Sequence, residues 1–433
     1  LRGKGVKNII KVTVEDRHPP CHSDYAIETA LKCLEIDILD WKKADICSET
    51  ILEACPQIRQ LHLWWSGLNG MLRSWSSEDG LAQLSQLTDI HLHQIHVTHQ
   101  WFDTMDPFAD YILTFDHQSR LNRSKIINML KNEIRVCLID DGVNMERRNL
   151  KENMETRGKS FHKVPSNGTP EEQRVHYAST ADHGTLMANM IRRICPHVKI
   201  TSYRLDVVQH VDGSRPHFTA LSAAEAVEDA SAQNFDIISM SWTIQRTRSK
   251  EYDNENLMDR LKKALESAHD NGALLFCAAP DSGNVSNSQF DDYYPIGSRA
   301  RGIFKIGAAM AEGQAWPWAG GSTHLDYVLP GYEVRDRQDL GMKKNTPRSG
   351  SSIATALASG LAALIIHCVR LAALDSYEKR KGLGDDIPLK KLEEVKTFDA
   401  MNRIFSKMAQ MDKGGARYIH VWNTFETHGS KLK

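Results

Sequence analysis

Between residues 134 and 366, short apolar runs alternate with longer stretches whose apolar residues recur at helical spacing. The runs cover 134–139, 235–240, 272–279 and 303–308, and the helical stretches lie at 183–194, 218–233, 255–271 and 353–366. Strand and helix in alternation predict an α/β fold, a mostly parallel sheet flanked by helices. Three polar segments stand where these elements begin or end. Val136-Cys137-Leu138-Ile139-Asp140-Asp141-Gly142 closes a run rich in β-branched residues, as a buried parallel strand would. Asp182-His183-Gly184-Thr185 opens a helical stretch that stops before Pro196. Ser349-Gly350-Ser351-Ser352-Ile353-Ala354 opens another, longer and rich in alanine.

An acid, an imidazole and a hydroxyl therefore occur in the order Asp140, His183, Ser352. A serine hydroxyl is a poor nucleophile near neutral pH unless a base takes its proton as it attacks. His183 is the candidate base, and Asp140 would fix its tautomer and stabilise the imidazolium that forms. The residues are 43 and 169 positions apart, so only a folded domain can assemble them. Each segment alone is commonplace: a strand-to-loop turn, one of 19 histidines, a helix cap. An α/β-hydrolase elbow is excluded, because the last glycine is missing and the histidine precedes the serine. In this order and on these elements, the stretch resembles the subtilisin-like serine peptidases, peptidase family S8. The likeness is greatest to the divergent subtilase domains of multidomain fungal proteins.

That resemblance implies a serine endopeptidase working through an acyl-enzyme. It also extends to further segments. The run 235–242 resembles the strand beside the bound substrate, with Ser241, Trp242 and Thr243 bordering a substrate-binding pocket. The run 272–279 resembles the strand leading to the oxyanion-hole side chain, which places Asp281 where the family usually carries asparagine, with Asn284 as the alternative. An ionised carboxylate has no proton to donate there, although some active relatives resemble this chain in carrying aspartate. Asp141 also departs from the usual serine or threonine. These departures motivate a second reading, a catalytically weak or inactive module of the same fold used for protein–protein interaction.

Composition bears on partners and compartment. Basic and acidic residues number 54 and 55 and are spread along the chain, which argues against nucleic acid and membrane surfaces as partners. Protein or peptide substrates are expected. The eight cysteines show neither a Cys-x-x-Cys pair nor a framework spacing, and with no signal-peptide pattern in view the expected location is cytoplasmic. No cofactor and no metal site is expected, calcium entering only through the family resemblance.

Residues 1–116 show a different period. Val12-Thr13-Val14, Ile36-Asp37-Ile38, Leu61-His62-Leu63 and Ile90-His91-Leu92 recur at spacings of 24, 25 and 29 residues with helical stretches between them. This is the pattern of leucine-rich repeats or of a small parallel α/β layer, and it offers a surface for a protein partner. A linker helix is expected at 117–132, the peptidase domain at 133–374, and a C-terminal helical extension with a polar tail at 375–433.

Overall fold

The computed structural model describes residues 8–16, 21–32, 34–66, 69–94, 99–115, 133–162, 175–208, 217–246, 254–283, 287–320, 324–337, 346–379, 389–412 and 414–429. Two units emerge, Leu1–Thr98 and His99–Lys433.

In the first unit, the recurring triplets lie in β1 (Asn8–Glu15), β2 (Glu35–Ala44), β3 (Gln60–Trp65) and β4 (Asp89–Gln94). These strands pair in parallel and in chain order. Parallel neighbours need a crossover, and α1 (Asp24–Leu31), α2 (Ser48–Ala54) and α3 (Asn69–Trp75) lie between successive strands. Ser23 caps α1 by accepting the Ala26 N–H at 3.2 Å. Leu39, Trp41, Leu61 and Leu63 form a core with Ile27, Leu31 and Ile51. Alternate residues carry polar rings: His62 stacks on His91 and His93, and His93 on Trp64, with centroids 4.6–5.1 Å apart.

The second unit starts with α4 (Gln100–Phe115) and builds a nine-stranded sheet. In chain order come β5 (Arg135–Asp140), β6 (Lys159–Ser160), α5 (His183–Ile194), β7 (Lys199–Arg204), β8 (Val207–Val208), β9 (His217–Phe218), α6 (Ala220–Ala232) and β10 (Ile237–Met240). Next are β11 (Ile244–Gln245), α7 (Asn254–Asp270), β12 (Leu274–Ala278), α8 (Asn287–Phe290), β13 (Tyr293–Tyr294), β14 (Ile303–Ala309), β15 (Tyr327–Pro330) and α9 (Ser351–Lys379). Then follow α10 (Leu389–Val395), α11 (Phe398–Met408), β16 (Ala409–Met411), β17 (Arg417–Ile419) and α12 (Trp422–Gly429). The sheet order is β16-β17-β15-β14-β12-β10-β5-β7-β6, parallel throughout except for β16 against β17.

Strands β10 and β12 are buried along their whole length, which is why they read as continuous apolar runs. Helix α9 is apolar and long enough to cross a membrane between Ser351 and Ala373, but 83% of that window is buried inside the protein. It is a core helix.

Two expectations about boundaries need correction. Residues 100–115 were expected to belong to the N-terminal region ending at 116, yet as α4 they pack within the second unit. Trp101 is fully buried and donates from Nε1 to Ile419 O at 3.2 Å. Arg193 forks onto Asp106 with two 2.8 Å bonds and lies over the Phe102 ring. The boundary could not be read locally, because the Ile419 partner of Trp101 is 318 residues away. The C-terminal residues likewise do more than extend the domain. Their β17 joins the main sheet beside β15, and Phe405, Tyr418 and Ile419 enter the core. The expected linker at 117–132 lies outside the described residues.

Candidate active site

Strand β5 carries Asp140 at its C-terminal end, buried to 1% exposure. The His183 ring stands over it, donating from Nδ1 to Asp140 Oδ1 at 2.7 Å. A carboxylate accepting at Nδ1 leaves the Nε2 lone pair for a proton from elsewhere. Burial opposes charge on both partners and pushes the Asp140 carboxyl up. At His183 burial is outweighed by the charge and hydrogen bond of Asp140, with help from Asp141, and the imidazole is raised to about 9. Arg348 is the opposing cation.

His183 is the first residue of α5, reached through Asp182 in the left-handed region (φ 60°). Gly184 must be glycine: a Cβ there would lie 2.3 Å from Gly142 O and 3.1 Å from Asp140 Cβ. This close approach presses the start of α5 onto the end of β5. Asp141, 3% exposed, takes no part in the His183 hydrogen bond. Its carboxylate accepts from Ser179 Oγ at 2.7 and 2.8 Å, from Ala181 N at 2.8 Å and from Gly184 N at 2.8 Å.

Ser352 is the second residue of α9. The register between α5 and α9 fixes where it lies. A Cβ on Gly360 would meet Ile191 O at 2.8 Å, and His367 stacks on His197 with centroids 5.1 Å apart. Gly360 and Ile191 are each eight residues, about 12 Å of helix, beyond Ser352 and His183. His367 and His197 lie fifteen and fourteen residues beyond them. Two contacts at matching offsets make the helices parallel, so Ser352 and His183 start side by side at the same end.

The two adjacent serines differ sharply. Ser351 is fully buried; its hydroxyl donates to Asp281 Oδ1 at 2.5 Å and accepts from Ala308 N at 3.0 Å. Ser352 is half-buried, and its hydroxyl makes no hydrogen bond among the described residues, to His183 or otherwise. Asp281, in the left-handed region (φ 51°), also accepts the Ser351 N–H at 2.8 Å. Its carboxylate thus stands beside the start of α9 as an acceptor. Asn284 lies outside the described residues.

At the expected pocket edge, Trp242 is buried, donates from Nε1 to Ile139 O at 2.8 Å and packs edge-on to Phe218, so its side chain braces β5. Ser241 is buried with its Oγ unpartnered, and Thr243 is half-exposed. A strand-end residue points inward or outward according to register, and the run 235–242 does not reveal that Trp242 reaches Ile139. Two features escaped the sequence reading: the three donors gathered by Asp141, whose signal was the second acid in Asp-Asp-Gly, and the place of Arg348. Among the described residues no group of His, Cys, Asp or Glu is arranged to hold a metal ion.

A buried acid, an imidazole and a free hydroxyl at the C-terminal edge of a parallel sheet define a serine-hydrolase type of site. Residues 131–377 match the Subtilase family, and this chain belongs to it. The major intracellular serine protease of Bacillus subtilis (strain 168) is 25% identical over 238 residues, covering 54% of this chain and 68% of that protein. Two solved structures share the fold: the epidermin leader peptide processing serine protease of Staphylococcus aureus and a lanthipeptide protease. The first has 18% identity, TM-score 0.52, and covers 76% of this chain and 81% of that one. The second has 17% identity, TM-score 0.51, and covers 76% and 94%. The chain is a serine peptidase with a subtilisin-like α/β fold.

Proposed function

We propose that this protein is an endopeptidase that cleaves proteins or peptides through an Asp140–His183–Ser352 triad. The observation that carries this is the 2.7 Å bond from His183 Nδ1 to Asp140, with Ser352 at the start of the neighbouring helix α9 and its hydroxyl without a hydrogen bond among the described residues. Ser352 Oγ attacks the peptide carbonyl carbon while its proton passes to His183 Nε2. Collapse of the tetrahedral intermediate breaks the C–N bond, and His183 returns the proton to the leaving amine. Water then repeats the sequence and releases the acid. The Ser352 N–H, at the start of α9, faces the developing oxyanion. Asp281 is the side chain at that site; it can donate only when protonated, and as a carboxylate it serves Ser351 instead. The backbone of residues 241–243 is the edge to which an extended substrate adds.

Neither cofactor nor metal enters this chemistry. The peptidase domain reads as 133–374 with α4 as an added part, and the first unit, Leu1–Thr98, as a repeat-like region suited to a protein partner. A cytoplasmic location accords with the named intracellular relative and with free thiols at the seven described cysteines. The rival, a module kept for binding, is favoured by the engaged Asp281 carboxylate.

Labelling by a fluorophosphonate, with wild type and Ser352→Ala compared from pH 5 to 9, decides between them. Labelling lost in the variant supports the triad. An unlabelled wild type, whole or beginning at residue 99, moves the reading to the binding module.

A further inference from the structure

The carboxylate next to Asp140 has a task of its own. Asp141 gathers three donors from the turn 179–184: the Ser179 hydroxyl, shared between its two carboxylate oxygens, and the backbone N–H groups of Ala181 and Gly184. A hydroxyl at this position has only two acceptor lone pairs, whereas a carboxylate offers about four sites. The Gly184 N–H belongs to the first turn of α5, where a negative charge is favoured by the exposed amide dipoles. The turn it holds contains Asp182 in its left-handed conformation, so the chain there needs an anchor from outside.

We propose that Asp141 is a positioning residue of the peptidase: it fastens the 179–184 turn to the end of β5 and so sets the place and the charged surroundings of the His183 ring. This rests on the reading of His183 as the base. The charged groups facing the ring are Asp140 and Asp141 from the end of β5 and Arg348 from the segment before α9. Asp141 is thus one of two anions that favour the imidazolium formed during attack. A carboxylate that merely braced the turn would affect folding. One that positions and tunes the ring also changes how the ring titrates.

The test uses the full chain with Asp141→Asn and Ser179→Ala. It reads fluorophosphonate labelling rates against pH, the NMR titration of His183, and thermal unfolding. Asparagine keeps the shape but removes the charge and turns an N–H₂ toward a donor. We expect the His183 midpoint to fall by on the order of half to one pH unit, and the maximal labelling rate to fall roughly 10–100-fold. Ser179→Ala removes two contacts and no charge, so the rate should fall a few-fold at the wild-type midpoint. A folded Asp141→Asn protein with wild-type rate and midpoint overturns the proposal. If that variant does not fold, Ser179→Ala decides, and an unchanged rate overturns it. If the wild type itself is unlabelled, the triad reading fails, yet the NMR midpoints still judge Asp141: a shift supports its role and no shift ends it.

Discussion

The chain contains two parallel sheets that treat their faces in opposite ways. In the second unit, β10 and β12 are buried throughout and β5 nearly so. In the first unit, exposure alternates along β1 and β3, and polar rings stack on alternate positions. A sheet covered on both faces has only its strand ends and the following turns left for chemistry. There Asp140 sits at the end of β5, with α5 and α9 delivering the other two groups. A sheet with one partly open face can spread polar side chains across its width. The same local unit, strand then helix, thus yields a point-like site in one region and a surface in the other.

Truncation should separate the regions most strongly. A chain beginning at residue 99 should remain folded and labelled, whereas one beginning at residue 133 loses α4 and with it buried Trp101 and Met105. Each such side chain is worth roughly 1.5–3 kcal/mol of burial, so the shorter chain should unfold at markedly lower temperature and lose labelling. Equal behaviour of the two would break the comparison. Point substitutions are the next scale down. Leu138→Ala, in fully buried β5, should cost about 2–5 kcal/mol, while Ile90→Ala, 51% exposed in β4, should stay within roughly 0.5 kcal/mol. Denaturant midpoints of the two unfolding steps would show whether the faces differ as described.

The smallest effect concerns pH. In the first unit, burial lowers His62, and the neighbouring His91, His93 and Lys11 add to this against Asp40. His183 in the second unit is raised to about 9, since Asp140 outweighs burial. The signs are opposite. His62 takes its proton less readily when folded, so the first unit should lose stability as pH falls below the ordinary histidine range near 6.5. The His183 pair stabilises fully below about that range and loses its contribution as pH rises through about 9. Catalysis needs neutral His183, so kcat/KM should climb across that upper range. Histidine titrations by NMR check both directions, and coincident midpoints would refute the contrast.

Much of this was legible in residue order. Asp140, His183 and Ser352 could be read because each stands at an element boundary, and boundaries leave local marks: an apolar run ending, a proline stopping a helix. The strand triplets of the first unit were legible for the same reason. What escaped depends on partners far away in sequence. The place of α4 could not be assigned, since Ile419 is 318 positions from Trp101. Trp242 reads equally well facing in or out until Ile139 O is seen beside it. Asp281 was legible as an acid near the oxyanion, but its bonds to Ser351 follow from the turn's left-handed backbone, which sequence does not disclose.

One earlier detail reaches beyond catalysis. Cys137 and Cys277 sit on the strands that end at Asp140 and Ala278, without solvent contact, and burial pushes both thiols up from their usual range. A thiol that can neither ionise nor be reached is silent toward alkylating reagents until its strand leaves the sheet. Each intact molecule therefore carries two built-in reporters that answer only when the sheet opens. Counting alkylated strands over time would clock that opening under native conditions, without adding a foreign probe.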